Sequence, residues 1–194
     1  MASPSPHHRE HYYEPSPRFN HYTARAGGNI YTWGGRTQEF SDIGKVKLQS
    51  AIEIFDPYLE VWDQQATKGD PPPGLYGGEC AAIEESMYVC FGNDGKKLHS
   101  TIHKFDTTKL EWKQVQIQNP FEGPSAKSGF GMVAYQGDKL AIFAGHGIST
   151  GSTQHGASFV KSSDSTGWSN EFHLINLKEG TIDLRMLLVG FVTD

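Results

Sequence analysis

One short motif occurs twice in the chain, and this repetition restricts the fold more than any other feature of the sequence. The segments "EIFDPYLEVWDQQ" (53–65) and "HKFDTTKLEWKQV" (103–115) each contain a Phe-Asp pair. In both, a tryptophan follows the aspartate by six residues, Asp56 to Trp62 and Asp106 to Trp112. Copies at this distance indicate a chain built of similar structural units.

The sequence around the motif extends the repeat to three copies. Each copy contains an apolar run that ends in glycine: "GNIYTWGGRT" (28–37), "ESMYVCFGNDG" (85–95) and "GDKLAIFAGHG" (137–147). Aligning the copies at Arg18, Gly74 and Lys127 gives spacings of 56 and 53 residues, and their closing glycines Gly34, Gly92 and Gly145 are 58 and 53 apart. A period of this length is typical of β-propellers and solenoids.

The local sequence favours the propeller. The apolar runs are short, rich in Val, Ile, Tyr and Phe, and bounded by Gly, Pro, Asn and Asp, which is typical of β-strands. No stretch has a sustained helical period. We therefore predict an all-β fold of three four-stranded antiparallel blades, at about 15–68, 70–120 and 123–184, forming an incomplete propeller. The same division leaves a disordered N-terminal tail at 1–14 and an atypical or truncated tail at 185–194.

Composition and motifs exclude several functions. The net charge is -5 and the basic residues are scattered, so we expect no nucleic-acid binding. We find neither a signal peptide nor an apolar run of the ~18 residues that a membrane span needs, and we expect no membrane association. The chain has only two cysteines, which we expect to be reduced, in the cytoplasm or nucleus. "GHGISTGS" (145–152) lacks the lysine of a phosphate-binding loop, and no catalytic motif or metal-ligand spacing is present, so we predict a non-enzymatic protein without cofactor or metal.

The first copy resembles the kelch repeat. It contains, in order, Pro-Arg-x-x-His (17–21), Tyr-x-Trp-Gly-Gly (31–35), Phe-Asp (55–56) and Trp62. Residues 15–184 as a whole are similar to this family. Within it, "PPPGLYGGECAAI" (71–83), "SAKSGFGMVAYQGDKLAIFAGHG" (125–147) and "GWSNEFHLIN" (167–176) resemble the first blades of the group that contains kelch domain-containing protein two.

The resemblance implies a binding rim around a central channel, where the loops that enter the first strand and leave the second strand of each blade open on one face. On this chain the rim would carry cations and aromatic side chains suited to an extended peptide with a carboxylate: Arg18, His21, Arg36, Tyr76, Lys127, His146 and Trp168. The segments "PSAK" and "GWSN" match the group at Lys127 and Trp168, whereas His146 stands where the group has tyrosine. Arg18 is equally consistent with an ion pair between blades.

The resemblance also implies the function classes. Relatives in this group are substrate receptors of cullin-type ubiquitin ligases that recognise C-terminal peptide ends, and their carboxylate-binding arginines lie in a fourth blade. The chain is accordingly predicted to be a non-catalytic protein- or peptide-binding kelch module, as a receptor or part of one. The alternative is a structural or cytoskeletal scaffolding kelch protein.

Three blades of a six-bladed propeller would leave two blade faces uncovered. We expect both flanks to be apolar and the isolated chain to self-associate through them or to be poorly soluble. We further expect Trp62 and Trp112 to be buried between blades, and the Ser/Gly/Thr-rich segment 149–169 before Trp168 to be a long loop.

Overall fold

A computed structural model describes residues 13–37, 51–118, 124–148, 159–161 and 165–184. These residues form β-strands and no helix, which confirms the all-β prediction. Among them, no helix has the length and hydropathy that a membrane crossing requires. The predicted tail at 185–194 and residues 1–12 of the N-terminal tail lie outside the described residues, while Tyr13 is placed against the first blade.

The first blade is a four-stranded antiparallel sheet. Its strands, in spatial order, are β2 (Tyr22–Ala26), β3 (Asn29–Trp33), β5 (Ala51–Asp56) and β6 (Val61–Ala66). A separate short pair, β1 (Arg18–Phe19) with β4 (Arg36–Thr37), joins the segments that precede β2 and follow β3.

The second blade has five strands instead of the predicted four. Its antiparallel part is β8 (Glu79–Ile83), β9 (Ser86–Asn93), β10 (Leu98–Asp106) and β11 (Glu111–Gln114). The fifth strand, β7 (Lys68–Gly69), pairs in parallel with β11 because the chain that arrives from the first blade runs along this edge.

The third blade contains β13 (Gly131–Tyr135), β14 (Lys139–Phe143), β18 (Phe172–Asn176) and β19 (Thr181–Leu184). A second four-stranded sheet stands beside it, formed in spatial order by β12 (Lys127–Ser128), β15 (His146–Ile148), β17 (Thr166–Ser169) and β16 (Phe159–Lys161). The prediction of one long loop at 149–169 was therefore wrong, because part of this segment pairs as strands.

The repeated aspartate of the Phe-Asp motif closes the turn between the last two strands of each blade. Asp56 Oδ1 accepts hydrogen bonds from the backbone N–H groups of Tyr58 (2.8 Å) and Leu59 (3.0 Å). Asp106 makes the equivalent bonds in the second blade, and Asn176 makes them in the third. Short Asx side chains favour such turns because they replace a backbone acceptor locally, which explains why the motif recurs.

The repeated tryptophan has two different environments. Trp112 is fully buried between the first and second blades, with its ring centroid 5.4 Å from that of Trp33 and 4.7 Å from that of Phe105. Trp62 is only partly buried and packs on Phe55 of its own blade at 5.1 Å. The prediction of a buried core residue is confirmed for Trp112 and was wrong for Trp62, because each such tryptophan faces the preceding blade and the described residues place no sheet beyond the first.

Two apolar clusters join the three blades in series. The cluster between the first and second blades includes Trp33, Ile52, Leu75, Phe105 and Trp112. The cluster between the second and third blades includes Tyr88, Phe91, Phe130, Ile142 and Ile175, with Ile182 in the place of the tryptophan. Within the part of the chain that the structure describes, the sheets do not close into a ring.

The two outer flanks, which we expected to be apolar, differ in the residues of their first two strands. On the third blade, Val133 (60% exposed) and Phe143 (48%) lie on the outer face of the sheet. In the first blade the same face is covered by the second blade. On the first blade, Thr23 and Thr32 share a hydroxyl hydrogen bond of 3.0 Å where the second blade has apolar Cys80 and Val89. The first-blade flank is therefore polar at this pair, while Phe55 and Trp62 make the same flank apolar nearer its outer edge.

Candidate functional site

The segments that enter the first strand and leave the second strand of every blade meet at one end of the blade. In the first blade they form the β1–β4 pair, in the second an isolated bridge joins Tyr76 to Asn93, and in the third they form the β12–β15 pair. These equivalent pairs carry most of the predicted binding residues, and we call the surface that they form the rim.

Backbone hydrogen bonds connect the rim from blade to blade. The N–H of Gly77 donates to the carbonyl of Asn20 (3.0 Å), and the N–H of Gly129 donates to the carbonyl of Gly77 (2.9 Å). All three residues have positive φ, at 55° for Asn20, 71° for Gly77 and 60° for Gly129, so they occupy the same position of the repeat. Counting back two residues, the equivalent of Arg18 and Lys127 in the second blade is Leu75. The sequence alignment on Gly74 was wrong by one residue.

Arg18 takes part in a buried ion pair within its own blade. Its Nη2 lies 2.5 Å from Glu53 Oε1, and both side chains are almost entirely buried. Tyr13 Oη donates to the same oxygen (2.5 Å), and Arg18 Nη1 donates to the carbonyl of Gly34 (3.2 Å). Arg18 therefore ties the β1 segment to the blade, and the ion pair lies inside the first blade instead of between blades.

Lys127 has the same kind of role in the third blade. Its fully buried Nζ lies 2.7 Å from Glu171 Oε2. The hydrogen bond from His173 and the interaction with Lys127 lower the pKa of Glu171 to about 2, so this carboxylate is ionised at neutral pH. Two of the three predicted rim cations thus already have carboxylate partners.

Arg36 and Tyr76 contact one another across the boundary between the first two blades. The guanidinium carbon of Arg36 lies 3.7 Å from the centroid of the Tyr76 ring, and Arg36 Nη2 donates to Tyr76 Oη. Arginine stacks well on aromatic rings because its charge is spread over a flat, weakly hydrated group. The contact holds the cation in a fixed place on the rim while both residues stay partly exposed.

His146 and Trp168 form a second aromatic pair at the rim. They are opposite one another in the β15–β17 pairing, and their ring centroids are 4.7 Å apart at an interplanar angle of 62°. Trp168 is 55% exposed in spite of this contact. The third blade therefore presents a large, immobilised apolar surface to solvent.

The remaining predicted residue, His21, lies beside Gly35 of the rim. Partial burial and the charge of Arg18 lower the pKa of His21, so the ring is neutral at pH 7. Two further residues lie on the rim that we did not predict from the sequence: Asn93, which occupies the repeat position of Arg36 and His146, and Phe19, which is exposed opposite Arg36. Aligning the first residue after the last glycine of "WGGR", "FGN" and "AGH" would have found Asn93.

The described residues show no geometry for thiol or metal chemistry. Cys80 and Cys90 are free, and burial raises the pKa of both thiols, that of Cys80 to about 12. A thiol with a raised pKa is a weak nucleophile. Within the ranges that the structure describes, no three His, Cys, Asp or Glu side chains lie close enough to hold a metal ion.

Comparison with known proteins gives several partial matches. The chain is 27% identical to N-(sulfonatooxy)prop-2-enimidothioate sulfolyase from Thlaspi arvense, over 71% of this chain and 37% of that protein. It is 28% identical to Rab9 effector protein with kelch motifs from Danio rerio, over 50% of this chain and 26% of that protein. It is 26% identical to human Kelch domain-containing protein 10, over 48% of this chain and 20% of that protein. The chain thus spans less than two fifths of the length of each of these relatives.

A family model covers far more of the chain than these pairwise matches do. The KLHDC2/KLHL20/DRC7 Kelch-repeats domain matches residues 5–181, which include the first two blades and the third as far as the start of its last strand. Kelch-repeat domains generally mediate protein–protein interaction and are generally not enzymes. The match and the blade architecture together show that this chain belongs to the KLHDC2/KLHL20/DRC7 Kelch-repeats family.

Proposed function

We propose that this chain is a peptide-binding part of a kelch domain and that it holds an extended segment of a partner protein against the rim. The observation that carries this proposal is Trp168, a large aromatic side chain that is 55% exposed yet fixed by its contact with His146. Fixed aromatic residues contribute much of the binding energy in protein interfaces because they bury a large area at a low cost in conformational entropy.

The rim residues then have two different roles. Arg18 and Lys127 hold the rim segments through buried ion pairs, whereas Arg36, Tyr76, His146 and Trp168 contact the ligand. This division supports a peptide ligand because the exposed groups combine apolar rings with hydrogen-bond donors. An extended backbone with alternating side chains can use both.

We further propose that the preferred ligand is the C-terminal end of a protein and that the chain belongs to a substrate receptor of a cullin-type ubiquitin ligase. Support for this finer assignment comes from the family match and from the Lys127 and Trp168 segments, which resemble the receptor group. It predicts that a free terminal carboxylate increases affinity.

The test measures binding of the purified chain to an array of random decapeptides. Each peptide sequence is present in two forms, one with a free C-terminal carboxylate and one with an amidated C terminus. The variant Trp168→Ala should weaken binding to the selected peptides by at least tenfold. Tyr58→Ser is the matched control because Tyr58 is also an exposed aromatic (92%) but lies in the β5–β6 turn, at the opposite end of the blade. Undiminished binding by Trp168→Ala would refute the rim as the binding surface.

The alternative function is a scaffold that binds partners through its outer surfaces. The exposed side chains of Tyr58 and Leu59 in the β5–β6 turn favour this candidate. A scaffold would show no preference among peptides, and Tyr58→Ser, instead of Trp168→Ala, would lower binding to a filament such as polymerised actin. The same pair of variants therefore separates the two functions.

A further inference from the structure

Arg36 differs from the other rim cations in its hydrogen-bond partners. A guanidinium has five N–H donors, and the described residues supply Arg36 with one acceptor, Tyr76 Oη. Its Nε is enclosed and has no hydrogen-bond partner among them. Arg18 and Lys127, in contrast, each lie against a carboxylate oxygen.

The surroundings of Arg36 suit one chemical class of ligand. The described residues place no acidic side chain within ion-pair distance of Arg36, and its stacking on Tyr76 fixes the plane of the guanidinium. The hydroxyl proton of Tyr76 has no acceptor in the described part of the chain, so this group offers a further donor. Phe19 lies opposite Arg36 in the β1–β4 pair and is exposed (46%), and opposite residues in such a pair share a face.

We infer that Arg36, stacked on Tyr76, is a carboxylate-binding subsite at the boundary between the first and second blades. A planar carboxylate accepts hydrogen bonds from the fixed guanidinium in a forked geometry and from the Tyr76 hydroxyl. The exposed ring of Phe19 then contacts an apolar group beside that carboxylate. This inference rests on the proposed peptide-binding function and adds a subsite formed by the first two blades.

The carboxylate has two sources, a chain terminus or an acidic side chain, and two small probes distinguish them. N-acetylphenylalanine presents a terminal carboxylate beside an aromatic ring, and N-acetylaspartate methylamide presents a side-chain carboxylate with the terminus blocked. N-acetylphenylalaninamide is the uncharged control. The measurement is the NMR resonance of the Arg36 Nε–H group, assigned by its loss in Arg36→Gln, during titration to millimolar probe.

We expect a saturable shift of this resonance with at least one carboxylate probe and none with the amide. Tyr76→Phe should weaken the response at least threefold, and Arg36→Lys, which keeps the charge but not the fork, at least tenfold. Arg25→Gln is the matched control because Arg25 is exposed and lies by the β2–β3 turn, at the opposite end of the same blade, so its response should stay within twofold of wild type. The absence of a shift with both carboxylates would overturn the inference.

Peptide binding separates this inference from the proposed function. If array peptides bind wild type and Arg36→Gln equally well, the rim still binds peptides and the Arg36 subsite is refuted. If no peptide binds while the carboxylate probes shift the Arg36 resonance, the subsite stands and the peptide function fails. A third outcome would also contradict the inference. If Arg36→Gln lowers the melting temperature and Arg36→Lys binds the carboxylate probes as well as wild type does, then Arg36 serves to hold the two blades together and does not bind a carboxylate.

Discussion

The two repeated tryptophans provide a direct test of how the blades are held together, because they share a sequence position but differ in burial. Trp112 is enclosed between Trp33 of the first blade and Phe105 of the second, whereas Trp62 packs on Phe55 of its own blade and is partly exposed. Alanine at position 112 should therefore weaken the interface between two blades, and alanine at position 62 should affect one blade only.

The expected cost follows from the buried area. A buried tryptophan removes roughly 200 Å² from water, which at about 25 cal/mol per Å² corresponds to about 5 kcal/mol. The indole N–H of Trp112 has no acceptor among the described residues. Its removal recovers about 1 kcal/mol, because an enclosed unpaired donor destabilises the fold. We therefore expect Trp112→Ala to lower the free energy of unfolding by about 4 kcal/mol, and the partly exposed Trp62→Ala by about 2 kcal/mol.

The assay is urea unfolding followed by far-ultraviolet circular dichroism, since a signal from the backbone is unaffected by the loss of one fluorophore. Trp112→Phe is a useful intermediate because it keeps a ring in the interface and should cost less than Trp112→Ala. A free energy of unfolding for Trp112→Ala within about 1 kcal/mol of wild type, or a larger loss for Trp62→Ala than for Trp112→Ala, would contradict this account of the blade interface.

Three other predictions concern the blade contacts. Tyr22 Oη donates to the carbonyl of Phe91 (2.9 Å) and accepts from the N–H of Gly78 (3.2 Å), so Tyr22→Phe should cost about 1–2 kcal/mol in urea unfolding while Tyr58→Phe costs nothing measurable. Burial, more than the charge of His99, lowers the pKa of His103 in the folded chain to about 4. As the pH falls, His103 is therefore protonated in the unfolded chain before it is protonated in the folded chain. Stability should therefore drop by about 1–3 kcal/mol from pH 6.5 to about pH 4, and an unchanged slope in His103→Gln would contradict this assignment. Finally, two copies of the chain should associate through the exposed third-blade flank, so the double variant Val133→Thr/Phe143→Thr should form less dimer than wild type in sedimentation velocity. A wild-type chain that stays monomeric at micromolar concentration would disprove this association.

The sequence alone was sufficient for the features that depend on nearby residues. The Phe-Asp turn is local, since Asp56 and Asp106 bond to backbone groups two and three residues ahead, and the strands follow from short β-branched and aromatic runs. Because these signals recur with the period of the blade, the all-β fold and the three copies could be read directly. The segments that form the rim each flank a strand that the sequence pattern predicts, and the binding role of their residues stays a prediction.

The tertiary structure was needed wherever the answer depends on what faces a residue. Trp62 and Trp112 occupy the same position of the repeated motif, and only the presence of a preceding blade buries the second. Leu75, and not Gly74, is the equivalent of Arg18 because the positive φ of Gly77 fixes the register. Arg18 and Arg36 look alike in the sequence, yet one is buried against Glu53, 35 residues away, and the other stacks on Tyr76, 40 residues away. Ion pairs and stacking at such separations are set by how the blades pack, which no local pattern encodes.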